Sequence, residues 1–278
     1  MLKLMFITNR PEIAQTAEAA GVDRIFVDLE FIGKESRQKG MDTVKSFHTV
    51  EDAAAVKRAL TSAELLVRVN PIHGEFPGYY SSAEEIDAVI EAGADIIMLP
   101  YFKTAEEVEK FLALVGGRVK TMLLFETPES VAAAEEILEL PGIDEVYIGL
   151  NDLSIGYGYR FMFEPLANGT VERLCVLFRK KGLSYGFGGV ASLGRGTLPA
   201  QYIIKEHYRI GSGCVILSRS FCDANKIGDP EKVKEVLTKG VSDIRELEKE
   251  CEAHSRFFFE NERELVRLVN GISKGEEQ

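Results

Sequence analysis

Eight short, almost unbroken apolar runs punctuate this chain, and a helix-like segment stands between most of them. The runs are Leu4–Thr8, Arg24–Glu30, Leu65–Asn70, Asp95–Tyr101, Thr121–Glu126, Glu145–Asp152, Tyr185–Ala191 and Cys214–Phe221. Nearly continuous apolar character over so few residues is what parallel strands buried on both faces require. The intervening helices are read at Pro11–Ala20, Val50–Ala59, Ser82–Ala92, Thr104–Val115, Pro128–Leu138, Val171–Lys180 and Pro199–Tyr208. Pro11 suits a first helical position, and Ser-Ala-Glu-Glu at 82 and Thr-Ala-Glu-Glu at 104 have the spacing of a capping box. Gly21, Gly93, Gly116, Gly182 and Gly211 end helices just before the next strand.

Strand and helix alternating eight times predict a closed (β/α)8 barrel of the TIM type, with a doubly wound open sheet as the alternative. The length of 278 residues suits one such barrel. Residues 1–229 are expected to form the catalytic barrel and residues 230–278 a helical extension. That tail is rich in Glu and Lys and contains Phe257-Phe258-Phe259. Three adjacent Phe cannot share one stripe of a helix, so they need a broad apolar surface, either on the same barrel or at a subunit contact. A homo-oligomer joined through barrel faces and the C-terminal helices is expected.

A net charge of −11 argues against nonspecific nucleic-acid binding and against docking on anionic membranes. No apolar run is long enough to span a bilayer. The four cysteines lack CxxC spacing, so zinc-ribbon and thioredoxin readings fail; free thiols without a signal peptide fit the cytoplasm.

In a parallel barrel, chemistry gathers at the C-terminal strand ends. Those ends offer Thr8, Asn9 and Arg10; Asp28 and Glu30; Arg68 and Asn70; Pro100 and Tyr101; Glu126 and Thr127; Asn151, Asp152 and Ser154; Gly188, Gly189 and Ser192; and Ser218, Arg219 and Ser220. Glu126 and Asp152 close successive strands. A carboxylate on the rim of a buried strand is costly unless it meets a cation, and two of them suit a hard ion such as Mg²⁺ or Mn²⁺ or, alternatively, nearby Arg or Lys. Arg68 lies within an apolar run and needs an anion. That anion is either Glu30 or Asp28 in an internal pair, or the carboxylate or enolate of a substrate.

The backbone of Gly149, Leu150, Asn151 and Asp152 offers amides to a carboxylate. Arg195 or Arg219, near the last two strands, is a candidate for an anionic group. Of the four histidines, His73 and His48 lie on loops that can reach the rim, whereas His207 and His254 fall on helices and are expected to face solvent.

The phrases Val27-Asp28-Leu29-Glu30, Val67-Arg68-Val69-Asn70-Pro71, Glu91 through Pro100, Leu124-Phe125-Glu126-Thr127-Pro128 and Tyr147 through Ser154 occur in an order that resembles the HpcH/HpaI aldolase and citrate lyase β-subunit family. This is a branch of the phosphoenolpyruvate/pyruvate barrel superfamily, and the resemblance spans about residues 4 to 222. It implies that Glu126 and Asp152 ligate a divalent ion, that the ion chelates an α-keto acid or its enolate, that Arg68 stabilises the enolate oxygen, and that the Gly149–Asp152 backbone holds the carboxylate. The sequence departs from the family at Phe31, where such aldolases carry an acid–base His and citrate-lyase-like members an Asp. Leu150 replaces a Pro, and the ends of strands seven and eight lack the citrate-lyase phrase.

The expectation is a metal-dependent carbon–carbon lyase acting on a small oxo acid, with Arg68, Glu30 and His73 as catalytic residues, and His48 or metal-bound hydroxide as other candidates for the base. Arg219 joins Arg68 and residues 149–152 in binding substrate. The alternatives are a citrate-synthase-like or malyl- or citramalyl-type enzyme using an acyl thioester, and a non-catalytic metabolite-binding barrel. The loops 41–49 and 72–80 are expected to choose the substrate.

Overall fold

In the computed structural model, which describes residues 1–34, 48–253 and 257–275, eight parallel strands close into a barrel in sequence order. They are β1 (Lys3–Ile7), β2 (Arg24–Asp28), β3 (Glu64–Arg68), β4 (Ile96–Leu99), β5 (Lys120–Phe125), β6 (Glu145–Ile148), β7 (Ser184–Val190) and β8 (Cys214–Leu217). Closure comes from β1 pairing with β8, with Met5 opposite Ile216. The open-sheet alternative is thereby set aside.

Helices α1 (Pro11–Ala19), α2 (Val50–Ala59), α3 (Ser82–Glu91) and α4 (Ala105–Val115) follow the first four strands. Capping boxes start α2 at Thr49/Asp52, α3 at Ser81/Glu84 and α4 at Thr104/Glu107, so the box before α3 begins one residue earlier than its sequence suggests. The segment after β5 is two short helices, α5 (Pro128–Ala132) and α6 (Ala134–Ile137), because Ala133 leaves helical geometry. Then come α7 (Leu150–Gly156), α8 (Glu164–Ala167), α9 (Thr170–Lys180), α10 (Ala200–Ile210) and α11 (Ala224–Ile227).

The tail forms α12 (Pro230–Ala253) and α13 (Phe258–Lys274). Val233, Leu237, Val241 and Ile244 of α12 join the same apolar cluster as Ile13, Ala14 and Ala17 of α1. Arg245 donates to the Leu2 carbonyl at 2.8 Å and pairs with Asp23 at 3.0 Å, so α12 is tied to the start of the chain. The Phe triplet divides: Phe257 and Phe258 meet edge to face with centroids 4.9 Å apart, whereas Phe259 is 77% exposed.

Strand side chains alternate between two cores. Outward residues such as Ile25, Val27, Leu65, Val67, Leu123 and Phe125 pack under the helices. Inward residues Met5, Phe26, Leu66, Ile96, Met98, Met122, Leu124, Tyr147 and Cys214 fill the barrel. Tyr147 also repairs a ladder: where the β7–β8 register shifts between Gly186 and Gly189, its hydroxyl donates to the Gly188 carbonyl at 2.6 Å and accepts from Ile216 N–H at 2.9 Å.

Below this apolar layer lies a layer of charge. Arg24, fully buried, donates twice to Glu145 at 2.7 and 2.6 Å and once to Glu64 at 2.7 Å. Burial alone would lower the affinity of Arg24 for its proton; the two carboxylates outweigh burial and raise it.

Two expectations need correction here. The apolar run through residue 152 is not one strand: β6 stops at Ile148, and Asp152 lies in the first turn of α7, where a carboxylate complements the unpaired amides of a helix start. His207 does not face solvent. It is fully buried and stacks on Phe187, with centroids 3.7 Å apart, because α10 turns this face toward β7. His254 and most of loop 41–49 lie outside the described residues.

Candidate active site

A cavity of about 690 Å³ opens at the C-terminal end of the barrel. Phe26, Met98, Leu124 and Tyr147 form its floor, and Asp28, Glu30, Lys34, His48, Arg68, Glu126 and Asp152 bring charge and polarity to its wall. Gly149, Leu150, Asn151 and Arg219 line it as well. Most residues read from the sequence as a site therefore share one cavity.

Glu126 is held from both sides. It follows Phe125, the last residue of β5, and precedes Thr127, whose hydroxyl caps α5 and donates to the Phe102 carbonyl at 2.8 Å. Tyr101 N–H donates to Glu126 Oε1 at 3.0 Å. Tyr101 is the only non-glycine residue at positive φ among the described residues, a local backbone cost retained beside this carboxylate. Two glycines let α7 lie against the turn at Glu126. A Cβ on Gly149 would come within 2.7 Å of Glu126 Oε2, and one on Gly156 within 2.6 Å of Pro128 Cδ. Asp152 accepts from Asn151 Nδ2 at 3.1 Å. Glu126 and Asp152 are both buried.

Arg68 forms the internal pair. Its Nε and one terminal nitrogen each donate to Asp28 at 2.8 Å, and its other terminal nitrogen approaches Glu30 at 3.3 Å. The pair follows from register, because Asp28 and Arg68 sit opposite each other on β2 and β3. Among the described residues, these contacts occupy three of the five guanidinium N–H groups. Burial would raise the Asp28 carboxyl, but Arg68 and Lys34 overcome it and hold Asp28 well below the usual carboxylate range.

Lys34 is the residue that sequence reasoning missed. Its ammonium lies 3.1 Å from Asp28 and 3.4 Å from Glu30. The signal was the Glu30-to-Lys34 spacing of one helical turn, hidden by its position beyond the strand. A buried network orders the turn that carries it. Asn70 Oδ1 accepts from Phe31 and Ile32 N–H, both at 2.9 Å, and Asn70 Nδ2 donates to Glu85 at 2.8 Å. Tyr79 O–H also donates to Glu85, at 2.9 Å.

The structure separates the two histidine candidates. His48 lines the cavity, and its Nδ1 accepts from Asp28 N–H at 3.0 Å. His73 does not line it. The His73 ring lies between the carbonyls of Pro71 at 2.7 Å and Tyr80 at 2.9 Å, where it clips its own loop. Phe31 points away from the cavity lining into an aromatic cluster with Tyr79 and Phe76, at centroid distances of 4.8 and 5.8 Å. Arg195 is not part of the cavity lining either.

Among the described residues no group of three His, Cys, Asp or Glu side chains is arranged to hold a metal. A Mg²⁺-type ion does not need one, since it is commonly bound by one or two carboxylates with water and substrate completing its shell. Among the described residues the cavity wall carries five carboxylates (Asp28, Glu30, Glu126, Asp152 and Asp223) and three cations (Lys34, Arg68 and Arg219), and carboxylate oxygens are the donors that such a hard ion prefers.

Comparison with known proteins agrees with this architecture. Residues 3–162 match the family model described as HpcH/HpaI aldolase/citrate lyase. A (3S)-malyl-CoA thioesterase of Cereibacter sphaeroides is 27% identical over 180 residues, covering 63% of this chain and 57% of that protein. A hydroxypyruvate/pyruvate aldolase of Sagittula stellata is 26% identical over 148 residues, covering 43% of this chain and 56% of the relative. The chain thus spans little more than half the length of either curated relative. Among solved structures, an HpcH/HpaI aldolase from Desulfitobacterium hafniense superposes with a TM-score of 0.58 at 16% identity, covering 84% of this chain and 93% of the other. The citrate synthase SbnG superposes with a TM-score of 0.59 at 17% identity, over 84% and 92%. At these identities the structural matches speak for the fold.

Proposed function

This chain belongs to the HpcH/HpaI aldolase/citrate lyase family, and on that premise we propose that it is a divalent-metal-dependent carbon–carbon lyase that acts on a small, pyruvate-like oxo acid through its enolate. The observation that carries this reading is the shared cavity, which collects Glu126, Asp152 and Arg68 on an apolar floor. Mg²⁺ or Mn²⁺ held by Glu126 and Asp152 supplies a Lewis acid that favours negative charge on a substrate oxygen.

The chain's own residues do the rest. Arg68 donates to the enolate oxygen through N–H groups that Asp28 does not use, and Asp28 fixes the guanidinium so that no reorientation is needed as charge develops. The first amides of α7, from Leu150 to Asp152, receive the substrate carboxylate, and Arg219 stands at the exposed mouth for any distal anionic group. Glu30 brings a carboxylate to the same wall and is the candidate proton acceptor. Phe26 and Leu124 in the floor limit water there.

The test is deuterium exchange into the methyl group of pyruvate, followed by NMR with Mg²⁺ or Mn²⁺ and with EDTA. Metal-dependent exchange that falls at least about 100-fold in Glu126→Gln supports the reading. A folded protein that gives no exchange with either metal overturns it for pyruvate.

A second reading has its own support. Phe31 stands where the resemblance places an acid–base residue and turns into an aromatic cluster, and one relative is a malyl-CoA thioesterase. An acyl-thioester substrate of the malyl or citramalyl type is therefore the next to assay.

A further inference from the structure

We propose that His48 is a hydrogen-bond donor locked in one tautomer, presenting Nε2–H to an oxygen of the substrate, and that it is not the general base. The proposal rests on the oxo-acid reading above for its ligand, but the argument starts from one bond. Asp28 N–H lies 3.0 Å from His48 Nδ1. The tautomer of a histidine is usually open, because most partners can both give and take a proton. A backbone amide only gives. Nδ1 must present its lone pair, and the single proton of the neutral ring then sits on Nε2.

Protonating this ring would set two N–H groups against each other. Burial of His48 disfavours the cation too, and Lys34 adds to it; Asp28 on β2 and Asp52 on α2 oppose both. The balance lowers the affinity of the imidazole for a second proton. A base needs a free lone pair, and neither nitrogen has one while the Asp28 bond stands. What remains is a fixed neutral donor in the cavity that holds Glu126, Asp152 and Arg68. Neutral imidazoles in active sites act as electrophiles in this way, polarising a substrate oxygen without carrying charge.

Asp28 thereby does two jobs with two groups. Its carboxylate orients Arg68, and its amide orients His48. Both donors are thus set by one residue of β2. This differs from the work of a histidine at position 31. His48 does not take over a missing proton shuttle but adds a donor, and the shuttle is left to another group.

The experiment uses the full chain. The ring nitrogens of His48 are followed by nitrogen-15 NMR between about pH 5.5 and 8, with Mg²⁺ and with oxalate, a planar mimic of the pyruvate enolate. Expected are an unprotonated Nδ1 and a protonated Nε2 throughout, with the Nε2–H signal moving when oxalate is added. The second arm is pyruvate exchange in two variants. His48→Gln keeps an acceptor and a donor and should stay within about 10-fold of the parent, whereas His48→Ala should fall about 100-fold. A proton on Nδ1, a titration near the ordinary imidazole value, or equal losses in the Gln and Ala variants would each overturn the proposal. If the parent shows no pyruvate exchange but Nε2–H still moves with oxalate, the substrate reading fails and the donor assignment stands. If Nε2–H ignores oxalate while oxalate binds, the donor assignment fails.

Discussion

His207 and His48 carry the same ring in opposite trades. His207 lies flat against Phe187, its Nδ1 is 2.7 Å from the Ser212 hydroxyl, and its Nε2 has no hydrogen-bond partner among the described residues. Burial pushes its pKa down to about 3. The unfolded chain would protonate this ring near the ordinary value of 6.5, so it binds more protons than the folded chain between those limits. Stability contributed by the neutral ring is therefore complete above about pH 6.5, is lost as pH falls below it, and stops falling near pH 3. Urea unfolding at pH 7 and pH 5 should show His207 responsible for a loss of about 2 kcal/mol, and His207→Asn should remove most of that difference. A pH dependence unchanged in the variant would sink this account. The burial of His207 is not legible in the sequence, whereas the reach of His48 to the rim is. A helical position says nothing of which face is covered, and a loop position gives reach but not the partner of the ring, here the Asp28 amide. Glu30, Arg68 and Glu126 were legible because strand ends fix direction as well as place. Lys34 was not, since its position depends on a turn held by Asn70.

Strands β2 and β3 show how one register sets two charged layers. Arg24 pairs with Glu64, and four residues on Asp28 pairs with Arg68, both on the inward side. The upper pair faces the cavity and the lower pair lies beneath the apolar floor. The sequence held this signal, because Arg24, Phe26 and Asp28 alternate to one face, but an apolar run suggests strand before it suggests which face carries the charge. The lower layer should behave as a buried ion cluster. Arg24→Met leaves Glu145 without its bidentate partner and should cost about 3–5 kcal/mol in urea unfolding. Replacing Glu145 by Met as well should return much of that loss, since a matched apolar pair strands no charge. A double variant no better than the single one would show that the cluster does more than neutralise itself. Element boundaries were read less well than elements. The run ending at Asp152 reads as one strand because Leu150 continues the apolar pattern, while Gly149 marks where the backbone turns into α7.

At the scale of the molecule, a divalent ion held by Glu126 and Asp152 should be visible as linkage. A divalent ion that binds only the folded chain stabilises it by about 2.7 kcal/mol at one hundred times its Kd. Mn²⁺ or Mg²⁺ should therefore raise Tm by roughly 5 °C, EDTA should reverse the rise, and Glu126→Gln should abolish it. No shift at saturating metal would tell against Glu126 and Asp152 as ligands. The closed barrel itself was the most legible property, because eight apolar runs with short helices between them leave few other ways to bury every strand twice. The layer of Arg24, Glu64 and Glu145 gives that barrel a sealed base. The cavity is a cup and not a tunnel, and everything must arrive and leave over one lip. Under the proposed cleavage, a released fragment would have no way to drain beneath its sibling: the piece nearer the lip would depart first and the deeper one would wait behind it.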